Sequence, residues 1–235
     1  MAHDPSSRTR IVLFDIDGTL LLTGGAGMRA MTRTFEDMFK VRDAFAGIPM
    51  PGRTDSIILA DALARLHMRV DDDALRQFRD RYCAALSDEL ARPAADKRVL
   101  PGVRNLLDQL DRRDHVFLAL LSGNFTEAAR IKLEHFGLAG YFACGAYGDD
   151  AKDRDDLLAV AVERTREHGV TVLELRDVLV VGDTPLDVRC ARAAGAVAVA
   201  VATGNHDAEA LRASGAEVVF DDLRDAERFL RLVDN

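Results

Sequence analysis

Four short runs of almost uninterrupted apolar residues punctuate the chain: Ile11–Phe14, Val116–Leu121, Val178–Val181 and Val197–Val201. Weaker runs lie at Tyr141–Ala146 and Val218–Phe220. Continuous rather than alternating hydrophobicity marks strands buried on both faces, as in a parallel sheet. Between the runs, apolar positions recur at helical spacing over Val103–Arg112, Thr126–Phe136, Leu157–His168, Leu186–Ala194 and Ala208–Ala213. This alternation from about residue 99 onward predicts an α/β fold, a doubly wound parallel sheet of the Rossmann-like type.

The stretch between the first two strong strands has another pattern. Helical periodicity covers Met28–Phe39, Ser56–Leu66 and Asp73–Leu90, the last through Phe78, Tyr82, Ala85, Leu86 and Leu90. No strand is expected inside it. A crossover between parallel strands needs only about a dozen residues, so the excess predicts an inserted helical cap over 21–97, with 1–20 and 98–235 forming the α/β core. Thr23-Gly24-Gly25 would be the entry hinge, and the return would run from Arg92-Pro93 to Leu100-Pro101-Gly102. Gly25-Ala26-Gly27-Met28-Arg29-Ala30 matches a dinucleotide-binding pattern but lies too far beyond the first strand to serve as its phosphate loop.

Composition narrows the function classes. With 235 residues, 48% hydrophobic and 30% charged, the chain can bury a sizeable core. Lys and Arg number 31 against 39 Asp and Glu, a net charge of -8, with no basic stripe, so nucleic acid is not an expected partner. The apolar runs are too short to span a bilayer. Cys83, Cys144 and Cys190 form no pair and no metal spacing, and read as buried, reduced thiols of a cytoplasmic protein. The first ten residues are polar and are expected to be a frayed tail rather than a secretory signal.

Ligands of open parallel sheets gather beyond the carboxyl ends of the strands. After the first strand stands Asp15-Ile16-Asp17-Gly18-Thr19. After the second stands Ser122-Gly123-Asn124, with Asn124 and Glu127 spaced as a helix N-cap and capping box, a combination that suits a phosphate-sized anion. Two cations, Lys152 and Arg154, follow the weak third strand, and Gly182-Asp183-Thr184-Pro185-Leu186-Asp187 follows the fourth. Carboxylates at Asp15, Asp17, Asp183 and Asp187 would converge on one edge and demand a cation. An all-oxygen ligand set without paired His or Cys favours Mg²⁺. With an anion site beside it, the set fits phosphoryl transfer to Asp15.

These motifs, in this order, resemble the haloacid dehalogenase superfamily, and the helical insert is similar to that of members such as phosphoglycolate phosphatases and β-phosphoglucomutases. The resemblance implies that Asp15 is nucleophile and Mg²⁺ ligand. Asp17 would be the general acid/base, with its carbonyl on the metal. Ser122, with Gly123 and Asn124, would bind the phosphoryl group. Asp183 would bind Mg²⁺, and Asp187 would support the metal site. The acid at Asp17 points to a phosphatase rather than a dehalogenase, since halide leaves without a proton. Arg154 is preferred over Lys152 as the phosphoryl-stabilising cation, because it stands closest to the following helix and can hold two oxygens. Arg53, in Gly52-Arg53-Thr54-Asp55, resembles a cap segment that faces the substrate. The implied activity is Mg²⁺-dependent hydrolysis of a small phosphorylated metabolite by a monomer or homodimer. A phosphomutase and a non-catalytic phospho-accepting regulator are the alternatives.

Overall fold

The structure, a computed structural model, describes residues 9–151, 153–170 and 174–234. Residues 1–8 of the expected ten-residue tail and the candidate Lys152 lie outside the described residues; Arg10, expected in that tail, is instead held by pairing with Val116 and by an ion pair to Asp177. Arg10–Phe14 forms β1, and its side chains show why the run is apolar throughout. Val12 and Phe14 enter one hydrophobic cluster, while Ile11 and Leu13 enter another on the opposite face. The sheet that β1 anchors is six-stranded and parallel, in the order β5-β4-β1-β6-β7-β8. Its other strands are β4 (Val116–Leu121), β5 (Gly145–Ala146), β6 (Val178–Gly182), β7 (Val197–Val201) and β8 (Val218–Phe220). Helices α4 (Val103–Asp111), α5 (Thr126–His135) and α9 (Ala226–Asp234) cover one face. Helices α6 (Arg154–Glu167), α7 (Pro185–Ala194) and α8 (Ala208–Ala213) cover the other. The chain steps outward from β1 to β4 and β5, then returns past β1 to β6. That reversal puts the crevice for ligands at the carboxyl ends of β4, β1 and β6.

Between β1 and β4 lie α1 (Ala26–Phe39), α2 (Asp55–Arg65) and α3 (Asp72–Ala91). They share a separate cluster in which the fully buried Phe35 packs on Phe39, Phe45 and Phe78. Burying one such ring contributes about 2–3 kcal/mol. Thr54 and Asp71 cap α2 and α3 by accepting from the backbone N–H groups of Ile57 and Ala74. Phe125 and Ala128, at the start of α5, also enter this cluster, so α5 packs against both the sheet and the helical block.

Several expectations need correction. The helical stretch is bounded by a two-stranded antiparallel ladder, β2 (Leu21–Thr23) with β3 (Lys97–Val99), where no strand was expected. Three residues are too few to display a strand period. The run Tyr141–Ala146 is strand only at Gly145–Ala146, and a 3₁₀ turn occupies Ala139–Tyr141. Cys144 is half-buried, although Cys83 and Cys190 are buried thiols as expected.

Candidate active site

Asp15 follows the last residue of the central strand, and its N–H donates to the Val181 carbonyl at 2.9 Å, continuing the ladder with β6. The chain then turns through Gly18, whose φ of 82° suits glycine. A Cβ there would stand 2.4 Å from Asp183 Oδ2, so the turn passes too close to that carboxylate for any side chain. Asp183 follows Gly182 at the end of β6 and accepts from Thr19 Oγ1 at 3.2 Å. Thr184 caps α7, with Pro185 in its first turn. Asp187 completes a capping box by accepting from Thr184 N and Oγ1 at 3.0 and 2.7 Å.

Asp15, Asp183 and Asp187 are all buried, with carboxylate oxygens within 4.8 Å of one another. Arg154 enters from the first turn of α6. Its Nη2 lies 3.2 Å from Asp15 Oδ1, donates to Asp187 Oδ1, and reaches the Leu121 carbonyl at 3.3 Å. One guanidinium therefore bridges two of the three carboxylates, Asp15 and Asp187. Burial pushes the Asp15 carboxyl up to about 6; Arg154 opposes the rise, and Asp187 and Asp17 add to it. Burial, with Asp187 and Asp15 nearby, also raises Asp183 well above the usual range. Burial disfavours the charge on Arg154, but Asp187 and Asp15 hold its pKa above the ordinary value. Such a cluster suits a divalent cation, and its oxygen-only donors suit a hard one. Asp187 offers least to a metal, since Oδ2 is spent on the capping box and Oδ1 on Arg154. Buried Arg154 Nε has no partner among the described residues, which leaves a donor for an anion.

Asp17 is different. Its side chain is 41% exposed and meets the buried Lys132 of α5, whose Nζ donates to Asp17 Oδ2 and to Asn124 Oδ1, each at 2.5 Å. The Asn124 amide donates at 2.8 Å to both Asp17 Oδ2 and Ser122 Oγ. Ser122 Oγ thus accepts from Asn124 and keeps its own proton for a ligand. Asn124 is not the cap of α5, contrary to the sequence pattern. Phe125 occupies the cap position and makes no side-chain cap bond. The amide of Asn124 is consumed by Asp17, Ser122 and Lys132, and the open N–H groups of Phe125 and Thr126 go to Asp55 Oδ2 and Asp149 Oδ2. Glu127, the expected capping-box partner, pairs with Arg130 instead.

The helical block closes over this edge through its segment Gly52–Ser56. Asp55 N donates to the Gly123 carbonyl at 2.7 Å, Ser56 Oγ to Gly148 O at 2.5 Å, and Arg154 Nη1 to Gly52 O at 3.1 Å. The approach is tight: a Cβ on Gly123 would lie 2.3 Å from Arg53 O. Between block and sheet edge lies a cavity of about 540 Å³. Asp15, Asp17, Ser122, Gly123, Asn124, Lys132, Arg154 and Asp183 line it from below, with Arg53 among the residues of the upper wall. The guanidinium of Arg53 is turned back onto its own block, bonded to Asp61 Oδ2 at 2.6 Å and Pro49 O at 3.1 Å. Sequence reasoning missed Lys132 and treated Asp55 only as part of a segment. A lysine on the buried stripe of α5, beside Ala128, Ala129 and Leu133, was the available signal for the first.

Comparison with known proteins agrees with this geometry. Residues 9–195 match the family model for haloacid dehalogenase-like hydrolases. The chain is 32% identical over 216 residues to a phosphoglycolate phosphatase of Rhodospirillum rubrum, covering 91% of this chain and 88% of that one. It is 29% identical over 227 residues to a phosphoglycolate phosphatase of Pseudomonas putida, covering 94% and 79%. The fold matches the crystal structure of a "predicted phosphoglycolate phosphatase" from Haemophilus somnus with a TM-score of 0.69 at 18% identity, over 97% of this chain and 100% of that one. The chain belongs to the haloacid dehalogenase-like hydrolases and is an enzyme of the phosphoric monoester hydrolase kind. Among the described residues, no helix is long and apolar enough to cross a membrane.

Proposed function

We propose that the chain hydrolyses the phosphate monoester of a small metabolite through an aspartyl-phosphate on Asp15, with the helical block as cap. The observation that carries this reading is the buried Asp15 carboxylate held against Arg154 at 3.2 Å, next to a second carboxylate, Asp17, that is open to the cavity. Asp15 attacks phosphorus as the bond to the leaving oxygen breaks. Asp17, in its acid form, protonates that oxygen, so the leaving group departs as an alcohol. Ser122 Oγ–H, the Gly123 and Asn124 backbone and Arg154 hold the phosphoryl oxygens. In the second half, Asp17 takes a proton from water as the water attacks phosphorus, and the bond to Asp15 breaks. Asp15, Asp183 and the Asp17 carbonyl are the ligands that fit Mg²⁺, and Asp187 serves by holding Arg154 and the first turn of α7. When bound, the metal offsets negative charge shared by the nucleophile and the phosphoryl group.

Five relatives carry the name phosphoglycolate phosphatase, so 2-phosphoglycolate heads the substrates to be screened. Phosphate release with Mg²⁺, lost with chelator, and acid-quench trapping of a phosphoenzyme test the reading. Asp15→Asn is expected to lower turnover by about a thousandfold or more and to abolish the trapped species. Wild-type rates in Asp15→Asn, or activity indifferent to chelator, would overturn it. Isomerised sugar phosphate without net phosphate release would assign the same residues to a phosphomutase.

A further inference from the structure

Lys132 sits 115 positions from Asp17 in sequence, yet their side chains meet at 2.5 Å. Only 4% of Lys132 is exposed. Burying an ammonium is costly unless it is paired and hydrogen-bonded. Here the cost is offset at two points, Asp17 Oδ2 and Asn124 Oδ1. Asn124 closes the triangle by donating to the same Asp17 oxygen at 2.8 Å. Both contacts fall on Oδ2. Among the described residues no hydrogen bond reaches Oδ1, the other carboxylate oxygen. A short acidic side chain on a loop is free to rotate about χ1, whereas proton transfer requires its oxygen within about 3 Å of the leaving atom. Two donors on one oxygen fix the rotation and leave the other oxygen of this cavity-lining residue unengaged among the described residues.

We infer that Lys132, bridged by Asn124, is the positioning residue of the acid/base: it clamps Asp17 by Oδ2 so that Oδ1 meets the leaving oxygen. This rests on the assignment of Asp17 as acid/base in the proposed function. It places the clamp on α5, the helix that also packs on the helical block, where a Cβ on Gly27 of α1 would stand 3.6 Å from the ammonium. The Lys132 ammonium also lies within electrostatic reach of Asp55 of the block, whose carboxylate form it favours. A lysine serving only to neutralise this acidic surroundings would stabilise the protein without regard to the leaving group. A clamp on the acid matters in proportion to how badly the leaving oxygen needs a proton.

That difference is the test. Single-turnover phosphoenzyme formation is compared for p-nitrophenyl phosphate, whose leaving group needs little protonation, and for 2-phosphoglycolate or the alkyl monoester that the wild type turns over fastest. Lys132→Met is expected to slow the alkyl monoester about 30-fold and the aryl ester about threefold or less. Asp17→Asn should show the same selectivity more strongly, and adding Lys132→Met to it should cause little further selective loss. Equal slowing of both esters by Lys132→Met, or slowing of neither, while Asp17→Asn stays selective, overturns the clamp. If Asp17→Asn itself shows no selectivity, the acid/base assignment fails instead, and the clamp with it. Should Lys132→Met fail to fold, Lys132→Gln, which keeps a donor but no charge, takes its place: intermediate selectivity supports the clamp and wild-type selectivity overturns it.

Discussion

Along the carboxyl edge of the sheet, Asp15, Asp183, Asp187 and Arg154 are buried and joined to one another or to their strands and helices by named bonds. The helical block faces the same cavity with Met28, Met31, Met50, Ile58 and Tyr82. Met28 is 41% exposed. One wall is a rigid array of charge, costly to assemble and fixed by the ends of three parallel strands. The other mixes these apolar side chains with Arg53, Asp55, Asp96 and Arg98 and is, at its methionines, adaptable. Phosphoryl chemistry requires fixed dipoles and charges; accommodating a leaving group requires shape. The division of labour follows from what each wall is made of.

The largest effect that would break this contrast is expected at Arg154, whose guanidinium bonds to both walls. It reaches Asp15 and Asp187 on the sheet edge and Gly52 O on the block. Arg154→Met keeps the length and removes the charge. It should lower kcat about a hundredfold, and leaving the buried carboxylates without their guanidinium should cost about 3 kcal/mol of stability. Rate assays and thermal melts check both. A variant with normal rate and normal stability would mean that the charge array is not what this edge depends on. Lys152→Ala, by contrast, should leave kcat nearly unchanged.

A smaller effect is expected on the opposite wall. Met28→Ala removes a half-exposed side chain that makes no polar contact. It should change KM for a given substrate by about three- to tenfold while kcat moves less than threefold, because such truncation alters uniform binding rather than transition-state contacts. A loss of kcat as large as that at Arg154 would dissolve the distinction between walls.

The same contrast governs what the sequence alone reveals. Strands β4, β7 and β8 were legible to the residue, because burial on both faces leaves an unbroken apolar run. The Asp15, Asp183 and Asp187 cluster was legible because each acid lies within a few residues of a strand end, where the topology delivers it. Lys132 was not, since only tertiary packing brings α5 beside the β1 loop. Asn124 was misread as a cap because local spacing cannot show that three side chains compete for its amide. Arg53 lines the cavity as its segment suggests, but sequence could not show that its guanidinium bonds to Asp61, eight residues on. Helix α9 escaped notice although Ala226, Phe229, Leu230 and Val233 recur at helical spacing and are buried. Its pattern was sufficient, and only its place beyond the last weak strand hid it.

The smallest effect concerns the seam between the walls, at Asp55. This carboxylate belongs to the helical block but accepts from Phe125 N at 2.9 Å, on the sheet side. Burial raises its pKa from 3.8 to about 6, against the pull of Lys132 and the Phe125 hydrogen bond. An acid whose folded pKa exceeds its unfolded one binds more protons folded than unfolded between those values. Its contribution to stability is therefore lost as pH rises from about 4 through about 6, and the folded state carries the full cost above that. A shift of that size corresponds to about 3 kcal/mol as an upper bound. Asp55→Asn keeps an oxygen that can accept from Phe125 N and removes the charge. It should leave melting temperature near wild type at pH 4 and raise it by a few degrees at pH 8, since about 1 kcal/mol moves a domain of this size about 2–4 °C. Thermal melts of both proteins across pH 4–8 give the difference curve, which should climb between about 4 and about 6 and be half complete near 5. A flat difference, or one that grows as pH falls, would mean that the seam is not strained by this charge.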